Sequence, residues 1–502
     1  MRCFLRSFVI ARPRNGRDNP ETFVLAKAGL PRQLRWLAMT VVIEYVLSSC
    51  SLAPNYQRPE TPPPAEYKEG KGWKLAQPAD AIERGKWWMI FYDPKLDALE
   101  VKVVSANQNI KVALASYQQA RAAAAAARAA FFPTITGNIG ESRVQLSHNV
   151  NIGAPLTLYN DNVVGADLSY EIDVWGKVRN AAAAAGKRAQ ASAADLATMD
   201  LSMHAELATD YFTLRGYDAA QKVLNEAVIA YQKAYDMTRR RHEGGIAAEM
   251  DVDQAQTQLE NAKTQSAETQ LKRAQLEHAI AVLTGEMPSN FKIDPVTSLT
   301  TTLPAIDPGM PSQLLERRPD IAAAERRTAA ANADIGVARA AYFPDFTFSL
   351  AGGFESIARA TLFTSPSEFW SLGPAAVLTL FDAGRIHALS NQAHAAYDQA
   401  VAGYRQTVLT AYQEVEDSLV AIRQLEKESV SQASATGAAK KALRQAEYRY
   451  KGGIVTYLDV VVAENTSLQA QLSLIDIETR RCNSRIQLVQ ALGGGWQESS
   501  KK

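Results

Sequence analysis

The chain has 502 residues, 54 of them basic and 53 acidic, for a formal net charge of +1. So even a balance leaves no electrostatic footprint for a nucleic-acid partner. Three cysteines in so long a chain exclude a disulfide framework, and Cys3, Cys50 and Cys482 have none of the paired spacings of a metal site.

Residues 1–49 read as a secretory signal peptide. Arg32 and Arg35 precede the apolar run WLAMTVVIEYVLSS, which is too short for a comfortable membrane span. Glu44 interrupts that run and the segment ahead of it is long for a basic lead-in, so translation is expected to start further along than Met1. Leu47-Ser48-Ser49-Cys50 resembles a bacterial lipobox, whose cysteine is diacylated on sulfur and becomes the new N-terminus. That resemblance makes Cys50 the candidate lipidation site, carrying a diacylglycerol and an N-acyl chain; no other cofactor is expected. Ser51 stands where inner-membrane lipoproteins carry an aspartate, so the implied destination is the outer membrane. Residues 50–85, with SLAPNYQRPETPPPAEY, are Pro-rich and expected to form an extended arm.

A first unit, residues 86–290, opens on WWMIFYDPKLDALE, whose Trp87, Trp88, Phe91 and Tyr92 are expected to pack a short segment against a helical shaft. An Ala-rich helix follows and ends at Pro133. A strand pair is expected at about 134–147 and 163–174. In the second strand Val164, Ala166, Leu168, Tyr170 and Ile172 alternate with Asp167, Ser169, Glu171 and Asp173. One apolar and one acidic face suits a strand between lipid and water, and equally a soluble sandwich strand with one solvated face. A helical hairpin with its tip at 243–246 completes the unit.

A Pro-, Ser- and Thr-rich linker (291–313) leads to a second unit, residues 314–492, with strands at about 345–354 and 372–381 and a hairpin tip at 451–454; residues 493–502 form a tail. The second unit repeats the first. ARAAFFP at Ala127 returns as ARAAYFP at Ala338, 211 residues later, and Gly176 and Gly244 return as Gly384 and Gly452, 208 residues later. The fold is therefore expected to be mainly α with a small β part, built as a tandem duplication. Four strands from one chain cannot close around an open lumen, so closure would require several copies.

The long helices carry a 3.5-residue apolar period. It runs through Leu458, Val461, Asn465, Leu468, Leu472, Ile475, Thr479, Cys482, Ile486 and Val489, through Tyr404 to Ile422, and through Leu196 to Leu214. From each glycine to its tip such a helix reaches on the order of 100 Å, and it is too polar to lie in a bilayer. Cys482 falls in the apolar register and is read as a small buried hydrophobe.

Catalytic motifs are absent: no phosphate-cradling loop with lysine, no GxSxG and no HExxH. Of His148, His204, His242, His278, His387 and His394, only His387 and His394 share a helical face, two turns apart, too far for a joint zinc site. They are read as solvated or structural.

The lipobox with CSLAPNYQRP, the strands after AAFFP and AAYFP, and LLERRPDI, LTLFDAGR and YRYKGGIVTYLDV together resemble the TolC-like outer-membrane efflux proteins, in particular the lipoprotein branch serving resistance-nodulation-division pumps. The resemblance covers nearly all of the chain from Cys50. It implies a homotrimer in which four strands per chain form one outer-membrane barrel, continued by a long periplasmic coiled-coil tube. It also implies a passive, non-enzymatic channel that carries drugs or other small molecules outward from an inner-membrane pump and a periplasmic adaptor. In the family, acids near Asp251 and Asp459 form a periplasmic constriction, which makes these two gate candidates, with Asp253 behind them; a capping role for Asp459 after Thr456 is the alternative. The adaptor-docking candidates are the tips Gly244, Gly245, Ile246, Gly452, Gly453 and Ile454, with Arg449 and Tyr450 in support. A lipid-anchored coiled-coil scaffold or adhesin is the alternative function, and detergent dependence after replacement of Cys50 separates the two.

Overall fold

The first unit begins with a short helix capped by a side chain. In the computed structural model, which describes residues 51–60, 85–147, 149, 158–296 and 317–494, a 3-10 turn at Trp87–Phe91 leads to α1 (Pro94–Ala106). The Asp93 side chain accepts from the amides of Lys95 and Leu96 at 2.9 and 3.2 Å, satisfying two donors that a helix start leaves free. Asn107 caps α2 (Gln108–Ala129) in the same way. Strands β1 (Thr134–Gln145) and β2 (Leu158–Ile172) follow, then α3 (Lys177–Glu243) and α4 (Glu249–Leu283). The second unit has α5 (Pro319–Ala340), β3 (Asp345–Ser356), β4 (Glu368–Val377), α6 (Arg385–Lys451) and α7 (Tyr457–Ala491). The signal segment, Cys50, residues 61–84, most of the linker and the tail beyond Gly494 lie outside the described residues.

The duplication is one of structure. Helices α3 and α6 have 67 residues each, α4 and α7 have 35 each, and the members of each pair start 208 residues apart. At 1.5 Å per residue the longer pair spans about 100 Å. Both long helices start at a glycine with positive φ, Gly176 at 78° and Gly384 at 87°. An aspartate just upstream serves each start: Asp173 accepts from the amides of Val178 and Arg179, and Asp382 from those of Gly384 and Ile386.

Helix α3 is the spine. Near the sheet it is flanked by α2 and α5, the latter through ion pairs of Arg188 with Asp334 and Arg327 with Asp195. Further down it meets α4 and α7, while α6 packs on α5 and α7. The core runs along this bundle as separate clusters. The largest joins Leu207, Tyr211 and Leu214 of α3 to Trp87, Trp88, Phe91, Leu96 and Val103, and to Cys482 and Ile486 of α7. Trp87, Trp88 and Phe91 thus pack the N-terminal segment on the shaft, whereas Tyr92 is exposed. His204 is buried there, stacked on Trp88 and bonded to the buried Glu100. Burial works against its imidazolium, yet hydrogen bonds with Asp200 and Glu100 raise it to about 9.

Two expectations are corrected. In α7 the apolar register holds from Leu468 upward, but lower down Tyr457, Val460 and Glu464 are buried while Leu458 and Asn465 are exposed. A straight helix drifts about 20° per heptad against a strict 3.5 repeat, and the buried stripe passes to the adjacent positions. Strand β4 spans Glu368–Val377, not 372–381; Leu378 to Phe381 leave the sheet although their sequence still alternates, and β2 begins at Leu158, earlier than 163.

The four strands form one antiparallel sheet in the order β1-β2-β3-β4, with β1 and β4 at open edges.

Candidate functional site

The sheet register sorts its side chains into two chemistries. Ile135 pairs with Leu168, Leu168 with Leu350 and Leu350 with Leu372, an apolar row across all four strands. Two residues along, on the same face because side chains alternate, lie Gly137, Ala166, Gly352 and Trp370, and beyond them Ile139, Val164 and Phe354, with Glu368 at the β4 end of that row. In the other direction come Tyr170, Phe348 and Pro374, then Ile172, Phe346 and Ala376. The opposite face holds Thr136, Asp167, Ala351 and Ser371, and Thr134, Ser169, Ser349 and Gly373. Four apolar rows about 7 Å apart, and a fifth that is apolar except for Glu368, give a band close to the height of an outer-membrane barrel's lipid-facing belt. Ile139 is 86% exposed and Trp370 77%. A face so apolar and so bare is not a solvated one.

At the other end of the long helices both hairpins turn in the same way. The amide of Ile246 donates to the Arg241 carbonyl and that of Gly245 to His242; Ile454 and Gly453 donate to Arg449 and Tyr450. These paired bonds are a Schellman closure. The left-handed residue is the second glycine of each pair, Gly245 at φ 70° and Gly453 at 72°, while Gly244 and Gly452 have negative φ. Ile246 and Ile454 are each 70% exposed, so neither is tucked into its own hairpin. Tyr450 is only 6% exposed, lying against Tyr457 with the Arg241 guanidinium 4.8 Å above its ring. It therefore props the tip from beneath and joins it to the first hairpin, whereas Arg449 is exposed.

The two acids near the tips differ. Asp459 closes a capping box with Thr456, accepting from its amide at 3.1 Å and its hydroxyl at 2.9 Å. Asp251 is in the equivalent first turn of α4, but the helix is preceded by Ala248, which offers no side-chain cap. Asp253 is exposed. The constriction reading thus meets one acid engaged in capping and one without that duty.

Near the sheet, residues 51–58 lie as a strap across three helices. The Ser51 hydroxyl donates to Asn180 of α3, Asn332 and Arg339 of α5 donate to the carbonyls of Pro54 and Leu52, Tyr56 donates to Glu325, and Arg58 donates to Tyr404 of α6. Glu325, Asn332, Gly336 and Arg339 share one face of α5 by their spacing. Gly336 is needed there, since a Cβ would come within 2.7 Å of the Ala53 methyl and 2.4 Å of Asn180. Cys50 itself lies outside the described residues, but its neighbour is fixed at the first turn of α3.

The family model for outer membrane efflux proteins matches residues 101–286 and 310–494. The chain belongs to the outer membrane efflux protein family. Among its relatives, the toluene efflux pump outer membrane protein TtgC and the antibiotic efflux pump outer membrane protein ArpC, both of Pseudomonas putida, are each 32% identical over 469 residues, 92% of this chain and 96% of theirs. The Campylobacter jejuni CmeC outer membrane channel superposes with a TM-score of 0.80 at 26% identity, covering 90% of this chain and 96% of that one. This efflux protein is accordingly an outer-membrane channel with a large periplasmic helical portion, a transporter and not an enzyme.

Among the described residues no helix is long and apolar enough to cross a membrane. No described His, Cys, Asp or Glu residues group to hold a metal ion. His387 and His394 of the efflux protein bond separately, to Tyr342 and Arg339. Sequence reasoning missed the strap's track along α5 and the buried Glu464. The 325, 332, 336, 339 spacing carries the first signal; an acid in the register Tyr457, Val460, Glu464 carries the second.

Proposed function

We propose that three copies of the chain close one twelve-stranded outer-membrane barrel and a periplasmic helical tube, the exit duct of a tripartite efflux system. The observation that carries this reading is the open-edged sheet with one face apolar but for Glu368 at its margin, set on helices about 100 Å long. An exposed apolar edge strand is an aggregation hazard unless it is paired, and lipid does not tolerate an unpaired one. Two copies would give eight strands, a barrel that fills with its own side chains; three leave a lumen.

Under this reading Cys50 is the acylated N-terminus, its chains entering the inner leaflet, and the strap fixes the next residue, Ser51, to Asn180 of α3. Ile246 and Ile454 then form a ring of six apolar knobs that dock a periplasmic adaptor, itself joined to a resistance-nodulation-division pump. Arg449 adds a positive charge at the second tip. Substrates are small, largely apolar molecules such as the antibiotics and toluene of the relatives' names, and Asp251 narrows the periplasmic mouth. The test is the double variant Ile246→Asp with Ile454→Asp. Export of a fluorescent drug should fall to the level of a strain lacking the channel, while native mass spectrometry still finds three chains and the melting temperature stays near wild type. Retained export, or loss of the trimer, overturns the docking assignment.

A further inference from the structure

The two hairpins of one chain are held together near their free ends by two apolar clusters. One contains Ala255, Tyr450, Tyr457 and Val460; the next contains Leu224, Tyr231, Leu259 and Leu468. Between them α7 places Glu464, 6% exposed, with its Oε2 lacking any hydrogen-bond partner. The groups around it come from every neighbouring helix. Helix α3 contributes Tyr231, α6 contributes Glu447 and α7 itself Tyr457; α4 contributes the neutral Gln258, bonded to Asn465, and, nearer the tip, Asp251 acting on Tyr457. That set contains acids, phenols and an amide but no cation.

A carboxylate in such a place has nothing to offset its desolvation, so the seam discriminates against the charged form. We propose that Glu464 is a proton-operated latch between the two helical hairpins at their free ends: as a neutral acid it lets the seam close, and as a carboxylate it loosens it. The latch bears on transport only through the reading of these ends as the channel mouth.

Burial, reinforced by Glu447, pushes the Glu464 carboxyl up to about 7. A group whose value is raised in the closed form stabilises that form below its ordinary value and loses the contribution as pH rises through about 7. With a solvated glutamate as the open-state reference, the closed-to-open ratio falls roughly tenfold between pH 6 and pH 8.

The full-length protein in lipid nanodiscs tests this by hydrogen exchange of residues 231–243 and 457–467, corrected for intrinsic rates. Wild-type protection should drop about tenfold from pH 6 to pH 8. Glu464→Gln should hold its protection at both values, and Glu447→Gln, which leaves Glu464 in place and removes the neighbouring charge, should move the transition to lower pH. An unchanged or raised transition in Glu447→Gln, or equal pH dependence in wild type and Glu464→Gln, overturns the latch. Planar-bilayer conductance separates the two readings. If protection follows pH as expected and conductance does not, the latch stands and the assignment of the hairpin ends as the mouth falls.

Discussion

Asp251 and Asp459 occupy equivalent positions in the two repeats, yet one residue upstream of each helix sets them different tasks. Thr456 gives Asp459 a partner for reciprocal capping, and Ala248 gives Asp251 none. Asp459→Ala is therefore expected to cost about 1 kcal/mol of stability, the usual size of a lost cap, read as a lower denaturation midpoint of the purified protein. Asp251→Ala should leave that midpoint within error and, if the acid narrows the mouth, raise single-channel conductance. The opposite pairing, with Asp251 moving stability and Asp459 only conductance, refutes the division. The isoleucines follow similar logic: a Schellman closure accounts for the glycine at left-handed φ, but it leaves 70% of Ile246 and Ile454 to solvent.

The strap shows how an element without regular structure can organise several that have it. Residues 51–58 touch α3, α5 and α6, so both repeats are sewn together at the sheet end. Gly336→Leu would place a side chain where Ala53 lies and should eject the strap, so that limited proteolysis cuts within residues 51–60 at least tenfold faster than in wild type, with circular dichroism unchanged; equal cutting rates would show that the strap is not held there. The strap's own Pro-rich composition signals only extension and its partners stand 129 to 346 positions away, so its trace in the sequence is confined to the spacing of residues along α5. The helices, the strand alternation and the Gly-Gly tips were legible because each rests on a local rule: a 3.5 period, a period of two, or one residue at positive φ. Where a local rule continued past its structural limit, as in Leu378 to Phe381, reading failed; nothing in that alternation says that the ladder stops at Val377. Glu464 stayed hidden for a related reason, since the α7 stripe slides by one position below Leu468 and an acid beside Asn465 passes for a solvated one.

In the whole molecule, two copies of one plan must reach the same two planes, a sheet above and a set of tips below. Helices α3 and α6 achieve this with 67 residues each. Removing seven residues from α6 alone, with seven from α7 to keep its hairpin in register, would raise the second tip by about 10 Å relative to the first. Such a variant should assemble and still conduct but fail to export with its adaptor, whereas the same deletion made in all four helices α3, α4, α6 and α7 should assemble and restore a level rim. Export by the unmatched form would show that the tips need not be coplanar. The shared length thus acts on descent as well as on mechanics. Once a gene has doubled into a structure of this kind, its halves diverge freely in side chains, as Thr456 and Ala248 have done, while gains and losses of residues along the shaft persist only as matched pairs, so the two halves keep a common measure long after their sequences have ceased to look alike.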